Sequence, residues 1–438
     1  MKKVLVISYY WPPSGGSGVQ RWVKMCKYLP LYGWQSVVYT PENPALTSTD
    51  GSLGTEVPAE VEVLRRKILE PGQFARKSTG SQVNPINAGK KTLKQRMAMW
   101  IRGNCFIPDP RVLWVGPSVK FLSKYLKENH IDAIVSTGPP HSMHLIAKRL
   151  AARTSIPWIA DFRDPWTGMF YFKHLCLTGY ARKRHLKLEK SVLDSATVLV
   201  AVSPMVRDDF AGMTSTPVEL ITNGFDESDF DIPAVVDVAS GATDVVDGIA
   251  FTILHAGLFS SDGNPEAVWE ALAKMVSDNA AFASCLRIVL CGKTDREILA
   301  SIENCGLGPY LDNRGYLDHS RVVRLLPKAS VLLLPLRKEP EYRATLPGKL
   351  FEYLAARRPI IGIGQKDGAM AQILSGCGAG EMFEWDETQA IYDCLSEKFR
   401  KFQSRKLADN DADLSIYTRK GIAARYARLL DSVVKSKQ

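Results

Sequence analysis

Short apolar runs alternate with amphipathic stretches along this chain, and the whole alternating series occurs twice. KVLVISYY is followed by VQRWVKMCKYLPLYG, which ends at Gly33, and then by QSVVYT and VEVLRR. IDAIVST, HSMHLIAKRLAART, IPWIADF, ARKRHLKLEKSVLDSA, TVLVAVS and VELITNG continue the series. Runs of this kind read as strands and the stretches between them as helices. The strands then pair in parallel and the helices cover both faces of the sheet. From Asp229 to Asp247 the pattern breaks into an Asp-, Ala- and Val-rich stretch without helical period. A second series follows: FTILHAG, NPEAVWEALAKMV, LRIVLCGK, DREILASIENCG, VVRLLPKA, VLLLPL and LPGKLFEYLAARRPIIGIG. IYTRKGIAARYARLLDSVV closes the chain as a helix.

The expected fold is α/β, with two doubly wound Rossmann-like domains facing across a cleft and a C-terminal helix returning to the first domain. The expected bounds are residues 1–228, a linker at 229–248, a second domain at 249–415 and the helix at 416–438. A ligand belongs in the cleft, at the carboxyl ends of the strands. A length of 438 residues agrees, because it exceeds what one core comfortably holds.

Composition excludes several classes. No apolar run approaches the roughly 18 residues of a membrane span. MKKVLVISYY has the lysines of a leader peptide, but Trp11-Pro12-Pro13 follows at once and no small-residue cleavage site is present. It reads as a buried first strand. The eight cysteines form no CxxC pair, which gives no disulfide frame or zinc site and fits a reducing compartment, the cytoplasm. Charge is uneven. Met1 to Ser228 holds 30 Lys+Arg against 18 Asp+Glu, or +12, and the remainder holds 26 against 28, or −2. One half therefore faces something anionic.

Three loops carry candidate chemistry. In LPGKLFEYLA a helix starts at Pro347-Gly348, and its free N–H groups suit a phosphate. Lys349 adds charge to that phosphate, and Glu352 can accept hydrogen bonds from ribose hydroxyls. In WPPSGGSGVQRW, Gly15, Gly16 and Gly18 let the backbone approach a phosphate or a sugar. A dinucleotide fingerprint fails there, because Arg21 stands where the third glycine belongs. CGKT is not a P-loop, because Arg287 replaces the earlier glycine. DFRDPW places Asp161, Arg163 and Asp164 at a strand's carboxyl end, where they serve either chemistry or a buried ion pair bracing the loop. His141 also follows a strand, and touches ligand or is structural. His255 reads as packing, and Gly257 after it as a close-approach glycine near a donor.

The basic stretch GKKTLKQRMAMWIRG puts Leu93, Met97, Trp100 and Ile101 on one helical face. It reads as an interfacial helix on anionic lipid or as a helix packed on the sheet. ARKRHLKLEK adds further basic surface. No nucleic-acid module is recognisable, so nucleic acid is not the expected partner.

The Gly15-Gly16 turn, DFRDPW, ITNGFD, the HAG turn at His255 and PGKLFEYLAARRPI, in this order, resemble the retaining glycosyltransferases of the GT-B fold, family 4. The resemblance covers nearly the whole chain. DFRDPW and LPGKLFEYLA are similar to members that build bacterial cell-surface polysaccharides. The resemblance implies a UDP- or GDP-linked sugar on the second domain and an acceptor, often lipid-linked at the inner membrane, on the first. It implies Pro347, Gly348, Lys349, Leu350, Glu352 and Gly257 at the donor, and no metal or other cofactor. It also implies a peripheral membrane contact through the basic domain.

Three departures are visible. Ala344 stands where the family often has a second glutamate, with Glu339 and Glu341 nearby. The basic pair that often follows Gly257 is missing, so Arg343, Lys293 or Lys349 supplies the phosphate charge. Arg163 occupies about the place of a family histidine. A non-hydrolysing nucleotide-sugar epimerase and a non-catalytic nucleotide-sugar binder are the alternatives.

Overall fold

The computed structural model describes residues 1–45, 49, 51–70, 93–230, 250–407 and 410–435. It divides into two units, Met1–Asn223 with Arg419–Gln438, and Gly224–Thr418. Most of the expected linker at 229–248 lies outside the described residues, as do Lys90 and Lys91 of the basic stretch.

The first unit is built on a seven-stranded parallel sheet in the order β3-β2-β1-β4-β5-β6-β7. Its strands are β1 (Lys2–Ile7), β2 (Trp34–Pro41), β3 (Glu62–Arg66), β4 (Ala133–Gly138), β5 (Trp158–Phe162), β6 (Val198–Ala201) and β7 (Val218–Leu220). The central strands are buried on both faces, so they read as continuous apolar runs rather than alternating ones. β4 and β5 are buried throughout. One face carries Val4, Val6, Val38, Val135 and Ile159 against Trp22. Ile422, Tyr426 and Leu430 of the last helix, Arg419–Lys435, complete that layer. Tyr426 packs edge-on against Trp22, and Arg425 donates to the Leu220 carbonyl.

The second unit holds a six-stranded parallel sheet, β10-β9-β8-β11-β12-β13. Its strands are β8 (Phe251–Ala256), β9 (Leu286–Cys291), β10 (Leu311–Gly315), β11 (Val331–Pro335), β12 (Ile360–Ile363) and β13 (Gly380–Phe383). Ile253, Ile288 and Leu333 face one layer. Leu254, Val289, Leu332 and Leu334 face the other, the two-residue period of a strand. Gly224 to Ser228, expected with the first domain, fall in the second unit. The cause is Phe225, which is buried in the second core and whose N–H donates to the Tyr417 carbonyl at 3.0 Å.

Both sheets reverse their winding direction once, between β1 and β4 and between β8 and β11. Connections leave these neighbouring strands on opposite faces, which opens a crevice at their carboxyl ends. The Gly15 loop follows β1 and His141 follows β4, while Gly257 follows β8. The sequence motifs thus sit where the topology leaves room.

Candidate functional site

The crevice of the second unit is organised around Lys349. It is the second residue of the helix Gly348–Ala355, whose N-cap is Pro347 in extended conformation and which has no side-chain cap. Pro347 fixes its own φ and Gly348 removes side-chain bulk, so the helix begins sharply with its first N–H groups uncovered. Leu350, Phe351, Tyr353 and Leu354 are buried and anchor the helix to the sheet. Leu350 is thus a core residue placed next to the site rather than a group that reaches into it. The Tyr353 hydroxyl accepts from the Ala256 N–H at 2.8 Å, which ties the helix to the end of β8.

From that helix Lys349 reaches across the turn at Gly257. Gly257 has φ +93°, and a Cβ there would stand 2.7 Å from Lys349 Cε and 3.1 Å from Nζ. Glycine is required both by the backbone and by the lysine that lies over it. Lys349 Nζ donates to the Leu258 carbonyl at 2.9 Å and lies 3.2 Å from His255 Nε2. Burial pulls its ammonium down to about 8, with the Glu352 charge offsetting part of that shift. Glu352 Oε1 lies 3.1 Å from His319 Nε2.

The other expected donor residues divide. Lys293 is exposed and follows Gly292, where a Cβ would stand 2.3 Å from the Gly257 carbonyl oxygen, so it flanks the same turn. Arg343 instead grips the Asp367 carboxylate with two nitrogens, at 2.8 Å and 2.5 Å. In the empty site its charge is matched by this exposed ion pair. A small cavity of about 130 Å³ lies between the β8 turn and the helix start, lined by His255, Leu258, Arg337, Tyr342 and Pro347 among others. A wider groove of about 770 Å³ runs along β13. There Lys398 pairs with Glu381 at 2.8 Å and Lys366 with Glu387 at 2.5 Å, and Arg357 and Pro359 from the end of PGKLFEYLAARRPI line it.

In the first unit three sequence-distant motifs meet at the β1/β4 crevice. The helix Ser17–Tyr28 begins after Gly16, at φ +99°, with no side-chain cap. A Cβ on Gly18 would stand 2.3 Å from Arg163 Nη1, so the guanidinium lies against the first turn of that helix. Arg163 also donates to the Pro139 carbonyl and lies over the Tyr10 ring at 5.6 Å. Gly15, in the same loop, is half-buried. His141 is 4% exposed and stacks on Trp166 at 4.8 Å and 4°. Neither of its ring nitrogens has a hydrogen-bond partner among the described residues. Burial, then the neighbouring charges of His144 and Arg163, keep it neutral well below its ordinary range. Asp164 is partly covered, and burial raises its carboxyl to about 6 against the pull of Arg163.

Asp161 departs from its expected role. It is 0% exposed and bonded to Arg21 Nη2 at 2.9 Å, Arg21 Nε at 3.2 Å and the Trp22 indole N–H at 2.9 Å. Burial pushes its carboxyl up, and the charge and hydrogen bonds of Arg21 with the Trp22 bond more than reverse this. Every approach for an acceptor is taken, so Asp161 is a structural anchor and not a catalytic residue. The residue that broke the dinucleotide fingerprint, Arg21, is its partner and also donates to the Ile221 and Thr222 carbonyls.

Sequence reading missed two supports. His185 Nδ1 accepts from the Trp166 indole at 3.1 Å, and Glu189 accepts from the Trp166 N–H at 3.2 Å. Both are buried on the helix Gly179–Leu193 and brace the DFRDPW loop. Their i, i+4 spacing inside an otherwise basic segment was the available signal.

Residues 91–229 match the family described as Glycosyltransferase Family 4, about a third of the chain. No curated protein matches the chain. Among solved structures, sucrose-phosphate synthase of Thermosynechococcus elongatus is 15% identical, with all of both chains covered and a TM-score of 0.64. A glycosyltransferase of Rickettsia africae ESF-5 is 13% identical over 99% of both chains, with a TM-score of 0.62. HepE of Anabaena, solved with UDP-glucose, is 13% identical over 100% of this chain and 99% of that one, with a TM-score of 0.58. At these identities the likeness shows the fold, that of GT-B proteins with two Rossmann-like domains. With the matched segment it supports a glycosyltransferase enzyme.

Proposed function

We propose that the chain is a retaining glycosyltransferase that moves a sugar from a UDP- or GDP-sugar to a hydroxyl of a glycan or lipid-linked acceptor in surface-polysaccharide biosynthesis. One observation carries the donor assignment. Lys349 projects from an uncapped helix start onto a glycine turn at the β8/β11 switch point, with Glu352 one turn on. HepE, of the same fold, was solved with UDP-glucose.

In this reading the donor diphosphate lies against the first N–H groups of Gly348–Ala355, and Lys349 and Lys293 balance its charge. Glu352 holds the ribose, giving up His319 for the hydroxyls. As the glycosidic bond breaks, its electrons pass to the leaving phosphate oxygen, where fixed N–H groups and the Lys349 ammonium stabilise the growing charge. The acceptor hydroxyl attacks from the same face and gives its proton to that phosphate oxygen, so charge balances without a metal. Neutral His141, Asp164 and the Arg163–Gly18 corner hold the acceptor or the transferred sugar.

The membrane contact belongs to the helix Leu93–Cys105. Leu93, Met97, Trp100 and Ile101 are 81%, 61%, 44% and 40% exposed, an uncovered apolar stripe at helical spacing. Among the described residues no helix is long and apolar enough to cross a membrane, so the contact proposed is peripheral.

The test is nucleotide release from UDP- and GDP-sugars, with a melting-temperature screen against the nucleoside diphosphates. A ligand that binds only the folded chain raises the melting temperature. Release with one base, at least tenfold lower in Lys349→Ala, is the expected result. Full activity of Lys349→Ala overturns the phosphate assignment.

A further inference from the structure

His255 has no place in the reading above, yet it is buried directly behind the proposed phosphate-binding lysine. Its Nδ1 lies 3.0 Å from the Leu333 carbonyl of β11. A carbonyl can only accept, so Nδ1 carries the ring proton. Burial and the Lys349 charge keep the imidazole uncharged, far below its ordinary range. Nε2 then faces Lys349 Nζ 3.2 Å away as an acceptor, with the Leu258 carbonyl within reach of both the ring and the ammonium. With the Leu258 carbonyl at 2.9 Å it fixes two of the three N–H directions of the ammonium. The third is left for a ligand.

Strand β11 thus sets the histidine tautomer, the tautomer sets the lysine, and the lysine lies on Gly257. Among the described residues the charged groups near Lys349 are these. Glu352 lies on its own helix with His319 bonded to it, and Lys293 stands beside the turn from the end of β9. Glu352 is itself occupied by His319. The half-buried amine therefore keeps one N–H direction open until an anion arrives.

We infer that His255 is a positioning residue for the donor diphosphate, presetting Lys349 over the Gly257 turn, and that binding of the diphosphate is coupled to uptake of a proton by Lys349. The inference rests on the donor reading above. The proton comes from solvent, and the bound diphosphate gains an ammonium partner. Since burial draws Lys349 down to about 8 in the empty site, a fraction of a proton is taken up per nucleotide at pH 8.

The experiment is calorimetric titration of the full chain with UDP and GDP at pH 8, in buffers of different ionisation enthalpy. Their slope counts protons directly. The expected result is net uptake by the native chain at pH 8 that shrinks at pH 7, where more of the amine is already charged and the terminal phosphate, with a pKa of about 6, is still mostly ionised. Lys349→Arg should bind the same nucleotide with no uptake, because a guanidinium stays charged throughout. His255→Leu, which keeps bulk but no acceptor, should weaken binding about tenfold and move the uptake to lower pH. His255→Gln, with a donor for Leu333 and an acceptor for Lys349, should restore both. Binding with no proton uptake at pH 8, or uptake undiminished in Lys349→Arg, overturns the inference and leaves the donor reading standing. No binding of any nucleoside diphosphate overturns the donor reading and the inference with it.

Discussion

At the scale of single residues, burial separates anchors from candidates. Asp161 and Arg21 are both fully buried and bonded to each other 140 positions apart in sequence. Removing one partner leaves an uncompensated buried charge, which costs about 3–5 kcal/mol. Arg21→Met should therefore lower the denaturation midpoint strongly, and a midpoint unchanged in urea would refute the anchor role. Asp164 behaves oppositely. Burial raises its carboxyl to about 6, so the folded chain binds its proton more tightly than the unfolded one does. Its contribution is most favourable below the unfolded value of about 4 and worsens as pH rises to about 6. Asp164→Asn should raise the melting temperature by several degrees at pH 7 and leave it unchanged at pH 4. An equal shift at both pH values would count against the raised carboxyl of the partly covered Asp164. Lys349 was legible because its motif is local. Arg21 was legible only as a missing glycine, since its partner comes from a strand far along the chain. His255 read as packing, because only the fold brings it to Lys349 from 94 residues away.

Among the elements, visibility in sequence followed burial. Strands with two buried faces, such as β4, β8 and β11, stand out as apolar runs. The edge strands β10 (LDNRG) and β13 (GEMF) have one covered side and mixed composition, so no run betrays them. The helix Val112–Glu128 was missed as well, because Gly116 and Pro117 sit within it and interrupt any helical reading. At this scale the helix Leu93–Cys105 carries its own prediction. Its buried Met99 and Gly103 face the protein, with Gly103 close against Leu175, while the stripe of Leu93, Met97 and Trp100 remains uncovered. Met97→Glu with Trp100→Glu should abolish sedimentation with vesicles containing anionic lipid while leaving nucleotide binding and the melting temperature unchanged. Unaltered sedimentation would rule this helix out as the contact.

For the molecule as a whole, the two units differ in how the chain supplies them. The second is one continuous segment, Gly224–Thr418, with cores on both faces of its sheet. The first is completed only by residues from the far end of the chain. Ile422, Ala423, Tyr426, Ala427, Leu430 and Val433 of the last helix are buried with Val19, Trp22 and Val23 of the helix Ser17–Tyr28. Lys2 bonds Asp431 at 2.6 Å, and the Trp34 indole N–H reaches the same carboxylate at 3.2 Å. Burying a large apolar side chain is worth about 1.5–3 kcal/mol, so losing the four large ones of this helix removes an amount comparable to a domain's usual net stability of about 5–15 kcal/mol. Ending the chain at Thr418 should therefore unfold the first unit and spare the second. Two transitions in a melting curve would become one, and the segment 224–418 expressed alone should fold and bind the same nucleoside diphosphate as the full chain. Loss of nucleotide binding by a folded 224–418 segment would place donor-binding groups outside the second unit. A truncated chain that melts like the full one would show that the last helix is not part of the first core.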